Sequence, residues 1–311
     1  MVEARQRGPA LLVDAGDALF AAAADSSPGG EARARLLLQE MGRMRYAALA
    51  VGERDLARGP AWLAAAAAAA GVPLLAANVA GPDGRRPFGA TALAEAGGRR
   101  VGILAVVEAG ALPGGLVAAD PIPAARAAVA ELRARGAELV VALLHLGAPA
   151  ARRLLAAVSG IDVAVRAHDG LPAAAEVAGG AVLVTAMERA RSLGRLEVEV
   201  ASGADWANRA APDEAREELL LVEASLRSAE ARARAASSEE ARAAFGDLLE
   251  AMRGRAERLR RAAASVPHGR LYRNALVPLD PRVPEDAGVR RAVEEVLARH
   301  GDADAAAAGL P

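Results

Sequence analysis

The chain of 311 residues has no cysteine and very few aromatic residues, which make up 2% of the sequence. Without cysteine there is no disulfide framework, no thiolate zinc site and no cysteine-linked haem. All 38 positions counted as lysine or arginine are arginine, and the net charge is -1, so no basic excess predicts binding to nucleic acid or to an anionic membrane surface. A chain of this length with 53% hydrophobic residues has enough apolar surface for a full globular core.

Long apolar runs are also scarce. Residues 1–9 are polar and lead directly into a strand-like run, so no charged region precedes an apolar stretch of the kind that directs secretion. The alanine-rich residues 61–70 are too few to cross the ~30 Å hydrocarbon core of a bilayer, and they predict a buried helix. The chain as given is therefore expected in the cytoplasm and not in a membrane.

Between residue 10 and about residue 200, short apolar runs alternate with longer helical patterns. The predicted strands cover residues 10–13, 47–51, 73–77, 101–107, 138–144, 161–165 and 181–184, and the predicted helices cover residues 31–44, 61–70, 121–135 and 150–158. Gly97 and Gly98 indicate a hairpin between the strand-like residues 91–96 and 99–107. The sheets are therefore expected to be mixed. This alternation predicts a layered α/β domain over residues 1–205.

The composition changes after Trp206. Pro212 followed by two acidic residues is typical of a helix start. Two apolar seams with roughly 3.5-residue spacing follow, at Leu219, Val222, Leu226, Ala229 and Ala233 and then at Phe245, Leu248, Met252, Ala256 and Leu259. These seams predict an antiparallel helical hairpin, and residues 285–300 predict a further helix. Residues 206–311 are therefore expected to form an α-helical C-terminal region.

Four polar motifs come directly after predicted strands, where open α/β sheets place their ligand-binding loops. They are Gly16-Asp17, Gly52-Glu53-Arg54-Asp55, His145 and His168. By residue type alone, Asp17 and Glu53 are as well explained as solvated loop acids, and a single histidine at a strand end is more often a hydrogen-bonded structural residue than a metal ligand. The motifs by themselves leave both interpretations open.

The order, spacing and context of these motifs resemble the calcineurin-like metallophosphoesterases, and within them the bacterial 5'-nucleotidase group. The resemblance covers residues 10–200 and implies a two-sheet layered α/β sandwich whose two metal ions, ~3.5–4 Å apart, hydrolyse phosphate monoesters. It implies that Asp17 is the carboxylate that bridges the metals and that Glu53 stands in place of an asparagine ligand. It also implies that His145 is the ligand of the single-histidine motif and that His168 is the first histidine of Gly-His-x-His.

The sequence departs from the family at three places. Arg54 replaces the histidine that assists the leaving group, and a guanidinium cannot exchange a proton near neutral pH although it can hold a phosphate. Gly170 stands where the second histidine of Gly-His-x-His is expected, and the Asp-x-His motif that precedes the Gly-Asp strand is absent. Either that segment has been lost or Met1 is an internal start. One metal position is then complete, and its nitrogen and oxygen ligands suit one Zn, Mn or Fe ion.

Three hypotheses follow from this pattern. The first is a 5'-nucleotidase-like metallophosphoesterase with one divalent ion, a phosphate ester or nucleotide as ligand, and weak or lost phosphohydrolase activity. The second is a non-catalytic family member that binds a protein partner, or a second copy of itself, through the helical hairpin. The third, ranked below both, is an active two-metal enzyme completed by an upstream segment. Family members are often periplasmic, so if Met1 is an internal start, the resemblance allows an exported full-length form.

Overall fold

The computed structural model describes residues 8–25, 27–168, 174–186, 191–200, 205–236 and 238–300. The chain divides into two compact units, of which the first contains Met1–Arg195 and Ala275–Pro311 and the second contains Leu196–Asn274. The sequence grouped residues 275–311 with the helical hairpin, whereas here they belong to the first unit. Gly170 and residues 1–7 lie outside the described residues.

The N-terminal part of the first unit is a small parallel sheet with helical crossovers. Strand β1 (Leu12–Asp14), helix α1 (Pro28–Arg43), strand β2 (Tyr46–Ala50), helix α2 (Pro60–Ala70) and strand β3 (Leu74–Leu75) follow one another in the chain. The strands pair in the order β1-β2-β3, and both pairs are parallel. The expectation of a mixed sheet is wrong here because each connection is a helix, which returns the chain to start the next strand in the same direction.

Helix α2 consists almost entirely of alanine, and one of its faces is buried. Leu63 and Ala67 on that face are buried, whereas Ala65 is exposed. Gly71 ends the helix in the left-handed conformation at φ 71°, which glycine adopts without strain. The prediction of a buried helix therefore holds for the inner face and is wrong for the outer one.

The larger sheet of the first unit is mixed, as the sequence predicted. The elements that follow β3 are β4 (Val79–Ala80), β5 (Thr91–Ala96), β6 (Arg99–Val107), β7 (Gly110–Leu112), β8 (Leu116–Ala118), α3 (Pro121–Ala134), β9 (Leu139–His145), α4 (Ala148–Ala157), β10 (Val163–Ala167), β11 (Glu176–Ala178) and β12 (Ala181–Thr185). Six of these strands pair in the order β11-β12-β10-β9-β6-β5. The four inner strands are parallel, and β5 and β11 pair antiparallel at the two edges. Strands β4, β8 and β7 form a small antiparallel sheet.

The two main sheets face each other across a core of mostly small residues. Ala48 and Ala50 of β2 pack in one cluster with Ile103 and Ala105 of β6 and Leu143 of β9, and all five are buried. The outer faces of the sheets are covered by helices, α1 and α2 on the small sheet and α3 and α4 on the large one. The predicted two-sheet layered sandwich is therefore confirmed, with helices outside both sheets.

The C-terminal part of the chain contains strands as well as the predicted helices. Its elements are β13 (Ser192–Glu199), β14 (Trp206–Asn208), α5 (Ala211–Ala235), α6 (Glu239–Ala263), β15 (Arg270–Pro278) and α7 (Ala287–His300). Helices α5 and α6 form the predicted hairpin, with ion pairs Arg253–Glu230 at 2.8 Å and Arg260–Glu223 at 2.7 Å between them. The region also contains strands that the sequence did not predict, since β14 pairs in parallel with β15. Among the described residues, no helix is both long and apolar enough to span a bilayer.

Candidate metal centre

The polar motifs predicted from the sequence lie at the ends of strands in the two facing sheets. Asp17 follows β1, Glu53 and Arg54 follow β2, His145 is the last residue of β9, and His168 comes directly after β10. Because β1 and β2 run parallel, as do β9 and β10, the carboxyl ends within each pair lie side by side. This arrangement brings the loops of both sheets to one edge of the sandwich.

The side chains at this edge form a tight cluster. The Nε2 atom of His145 lies 2.9 Å from Oε2 of Glu53 and 3.3 Å from Nδ1 of His168. One ligand atom each from Glu53, His145 and His168 lies within 4.8 Å of the other two. Oδ2 of Asp17 is 3.6 Å from the same His145 nitrogen. The structure therefore brings together all four residues that the sequence singled out as ligands.

Both nitrogens of His145 have defined surroundings. Nδ1 lies 3.0 Å from the backbone oxygen of Ala15, and because a carbonyl oxygen only accepts, Nδ1 carries the proton and donates it. Nε2 faces Glu53 and His168, and it offers a lone pair to a cation once it has lost its proton. Metal-binding histidines are held in this way, with the second ring nitrogen bonded to a backbone carbonyl. The buried ring of His145 is thus oriented to offer Nε2 to a cation.

The pKa values in the cluster are shifted in directions that favour a negative Glu53 and a positive His145. The hydrogen bond with His145 lowers the pKa of Glu53 to about 2, against the effect of burial. Burial opposes a charge on His145, yet the hydrogen bond with Glu53 and the charge of Asp17 raise the pKa of that imidazole overall. Burial raises the pKa of Asp17. In the absence of a metal, a proton on His145 satisfies the cluster, and a metal ion that binds there displaces that proton.

The donor atoms of Glu53, His145 and His168 lie close enough together to hold one metal ion. Ligands in a tetrahedral arrangement with bonds of ~2.0–2.1 Å lie about 3.3–3.4 Å apart, and the 3.3 Å between the ring nitrogens of His145 and His168 matches that spacing. The residues present are therefore suited to hold one such ion.

Two of the cluster residues have strained backbones. Asp17 has φ 63° and His168 has φ 116°, and Arg45 is the remaining non-glycine residue with positive φ among the described residues. The β-carbon of a non-glycine residue disfavours these conformations by about 1–3 kcal/mol, so the surrounding structure must hold them in place. Such strain is typical of functional sites. Here two non-glycine residues with positive φ, Asp17 and His168, are both members of the cluster.

Asp55 connects the two acidic loops, which are the loop after β1 that carries Asp17 and the loop after β2 that carries Glu53. The sequence did not reveal this role. Its buried carboxylate accepts hydrogen bonds from the backbone N–H groups of Gly52 at 2.9 Å, Asp17 at 2.8 Å and Leu19 at 3.0 Å. Burial raises the pKa of Asp55 to about 7, while these hydrogen bonds act in the opposite direction. The residue type was visible in the motif after β2, but two of its partners lie more than thirty positions away in sequence.

Two further polar residues near this edge were not assigned a role from the sequence. The buried amide of Asn78 donates to the backbone oxygens of Val107 and Ala119, and its oxygen accepts from Val107 N–H. Glu108 follows β6 and accepts a hydrogen bond from Gly147 N–H at 3.1 Å. Asn78 thereby fixes the end of β6, the strand beside His145.

Arg54 contacts Asp17 through both its backbone and its side chain. Its backbone N–H donates to Oδ1 of Asp17 at 2.8 Å, and its side-chain Nε lies 3.3 Å from Oδ2 of the same carboxylate. The side chain is 43% exposed, so part of the guanidinium faces solvent at the edge of the cluster. Oδ2 of Asp17 is thus contacted by a permanent cation and also lies 3.6 Å from Nε2 of His145.

Gly52 allows the two acidic loops to approach closely. A β-carbon at this position would come within 2.2 Å of Oδ1 of Asp17. We expect Gly52→Ala to cost about 1–3 kcal/mol in the free energy of unfolding, as overpacking does, and to weaken metal binding by moving Asp17. Gly147→Ala is the matched control, since a β-carbon there meets nothing within 4 Å and φ is -60°. Denaturant unfolding and metal titration of both variants test this, and equal effects would contradict it.

Comparison with solved structures defines the fold. A 5'-nucleotidase precursor from Thermus thermophilus superposes with a TM-score of 0.63 at 21% identity, over 96% of this chain and 51% of that chain. The calcineurin-like phosphoesterase YfkN from Bacillus subtilis superposes with a TM-score of 0.63 at 14% identity, over 96% of this chain and 86% of that chain. The chain has the calcineurin-like phosphoesterase fold. SoxB, a sulfate thiohydrolase from Thermus thermophilus, gives a TM-score of 0.62 at 15% identity, over 96% of this chain and 44% of that chain.

These likenesses lie in the three-dimensional structure and not in close sequence similarity. No protein-family model and no curated protein sequence matches the chain. The chain spans about half the length of the 5'-nucleotidase precursor and of SoxB. The resemblance drawn from the motifs is thus confirmed for the fold.

Proposed function

We propose that the chain is a 5'-nucleotidase-like metallophosphoesterase that holds one divalent ion, binds phosphate esters or nucleotides, and has weak or no phosphohydrolase activity. The observation that supports this most strongly is the convergence of Glu53, His145 and His168, with Nε2 of His145 facing both other side chains. The fold adds support, since a 5'-nucleotidase precursor is among its structural neighbours.

Each residue of the site has a role in this proposal. Glu53, His145 and His168 hold the ion, and Asp17 lies within reach of it beside His145. A bound divalent ion supplies a Lewis acid that polarises a phosphoryl oxygen and acidifies a water molecule. Arg54 offers N–H groups to the phosphate oxygens, since a planar guanidinium matches the geometry of phosphate.

The same residues explain why catalysis is expected to be slow. Arg54 stays protonated near neutral pH, so it cannot pass a proton to the leaving oxygen. General acid–base catalysis typically contributes about 10²–10⁴-fold to the rate, and a second cation stabilises charge at the leaving group. Both contributions are reduced in this site, whereas the capacity to bind a phosphate group is retained.

Hydrolysis assays test the proposal directly. With Mn²⁺ or Zn²⁺ present, we expect the wild type to hydrolyse an activated aryl phosphate and nucleoside monophosphates below the ordinary enzyme range of ~1–10³ s⁻¹. Asp17→Ala should lower any residual rate, and Asp83→Ala, at an exposed loop acid, serves as the control. Turnover at ordinary rates by the wild type, lost in Asp17→Ala, would show a working phosphatase and refute the degenerate-site proposal.

A second candidate function, a binding module without catalysis, is favoured by one observation on the helical hairpin. Leu220 and Leu221 of α5 are 68% and 71% exposed, which is unusual for adjacent large apolar residues. In this case the chain binds a protein partner or a second copy through α5 and α6. The two candidates differ in their dependence on metal, because removing the ion impairs phosphate binding and leaves association through the hairpin unchanged.

A further inference from the structure

The place of Arg54 beside Asp17 suggests a role that goes beyond simple contact with phosphate. In a two-metal site the carboxylate between the metals is neutralised by a cation on each side. Here the same oxygen of Asp17, Oδ2, lies 3.6 Å from Nε2 of His145, a candidate metal ligand, and 3.3 Å from Nε of Arg54. The second neighbour of this carboxylate is therefore a side chain that is permanently charged.

We propose that the guanidinium of Arg54 takes the electrostatic place of a second metal ion, so that an inorganic phosphate or phosphate monoester binds between one divalent ion and Arg54. This inference rests on the proposed function, since it requires that Glu53, His145 and His168 hold an ion. It adds that the site is limited to one ion by its own side chain and that its affinity for an anion depends on that side chain.

The charges around the site support this role. A single divalent ion would only neutralise the carboxylates of Asp17 and Glu53, leaving little attraction for a phosphate dianion. Arg54 adds a further positive charge, so the loaded site becomes attractive to an anion. The same charge keeps a second cation away from Asp17. The guanidinium and a cation a few ångströms apart repel each other strongly at a partly buried site.

The geometry also leaves Arg54 able to reach a ligand. Its backbone N–H and Nε face Asp17, whereas 43% of the side chain remains exposed at the edge of the cluster. The guanidinium has five N–H donors in a fixed planar fork, so donors remain for the oxygens of a phosphate after Nε has contacted Asp17. A lysine in the same place would keep the charge but would lose this paired geometry.

The test measures two affinities that this role predicts will change in opposite directions, one for Mn²⁺ and one for inorganic phosphate. In Arg54→Gln, we expect Mn²⁺ affinity to rise by about threefold to tenfold, because a repelling charge is removed. Affinity of the Mn²⁺-loaded protein for inorganic phosphate should fall by roughly 10- to 100-fold, because charge-assisted hydrogen bonds are lost. Arg54→Lys should keep wild-type Mn²⁺ affinity and lose less phosphate affinity. Arg58→Gln, which removes an arginine paired with Glu31, should leave both affinities unchanged.

Calorimetric titration of the full chain, with circular dichroism to verify folding, measures both affinities. Opposite shifts in Arg54→Gln support the inference. It is overturned if a metal-binding Arg54→Gln variant keeps its phosphate affinity, if both affinities fall together, or if the wild type binds two ions per chain. A wild type that binds no Mn²⁺ or Zn²⁺ overturns the proposed function, and this inference with it.

Discussion

His145→Ala is expected to reduce the affinity for Mn²⁺ or Zn²⁺ by at least ~100-fold, which is more than the loss typical for residues that only support a metal ligand. The reason is that Nε2 of His145 is the atom that both Glu53 and His168 approach, at 2.9 Å and 3.3 Å. Removing the ring takes away a ligand and the group that orders the other two. Metal analysis and titration of purified protein give the measurement, with one equivalent expected for the wild type.

The matched control for this experiment is His268→Ala. His268 is exposed and its ring contacts the backbone oxygen of Val266, outside the cluster. This variant should bind metal as the wild type does, whereas His168→Ala should lose binding as His145→Ala does. Undiminished binding by His145→Ala, or two equivalents in the wild type, would disprove the single-ion site.

The second large effect concerns stability. Asp55→Ala is expected to lower the free energy of unfolding by about 3–5 kcal/mol, because three backbone N–H groups, of Gly52, Asp17 and Leu19, lose one shared acceptor. Asp55→Asn should cost less, since one amide oxygen still accepts. Denaturant unfolding gives the magnitude, and hydrogen exchange at those three amides should show where the protection is lost.

Asp83→Ala again provides the control for a lost carboxylate. Asp83 is exposed and accepts one local hydrogen bond from Arg85 N–H, so its removal should cost about 1 kcal/mol or less. If Asp55→Ala unfolds at the same denaturant concentration as Asp83→Ala, the carboxylate does not hold the two acidic loops together. In that case another contact must position Asp17.

The sequence was a good guide to the fold wherever apolar runs marked buried strands. Strands β2, β6, β9 and β10 lie within a residue or two of their predicted positions, because most residues of each strand are buried in the core. Strand β15 was missed. Its residues 270–274 are Arg-Leu-Tyr-Arg-Asn, which show no regular alternation, and the pairing that makes them a strand comes from β14, far away in the sequence.

The site was predictable to the extent that it depends on strand ends. Asp17, Glu53, His145 and His168 come directly after apolar runs, and parallel strands bring such positions together without further information. The role of Asp55 and the contact of Arg54 with Asp17 depend on how two loops fold against each other. Loop conformation follows from tertiary contacts such as the close approach at Gly52, which no local pattern in the sequence specifies.

The order of the two compact units along the chain has an evolutionary consequence. The second unit, Leu196–Asn274, interrupts the first, which ends at Arg195 and resumes at Ala275. Where the chain leaves and re-enters, Leu279 N–H bonds to the backbone oxygen of Arg191 at 3.0 Å, so the exit and the return are neighbours within the first unit. An inserted segment whose two ends lie close together in this way can be lengthened, exchanged or shortened during evolution. The backbone of the unit that it interrupts need not change.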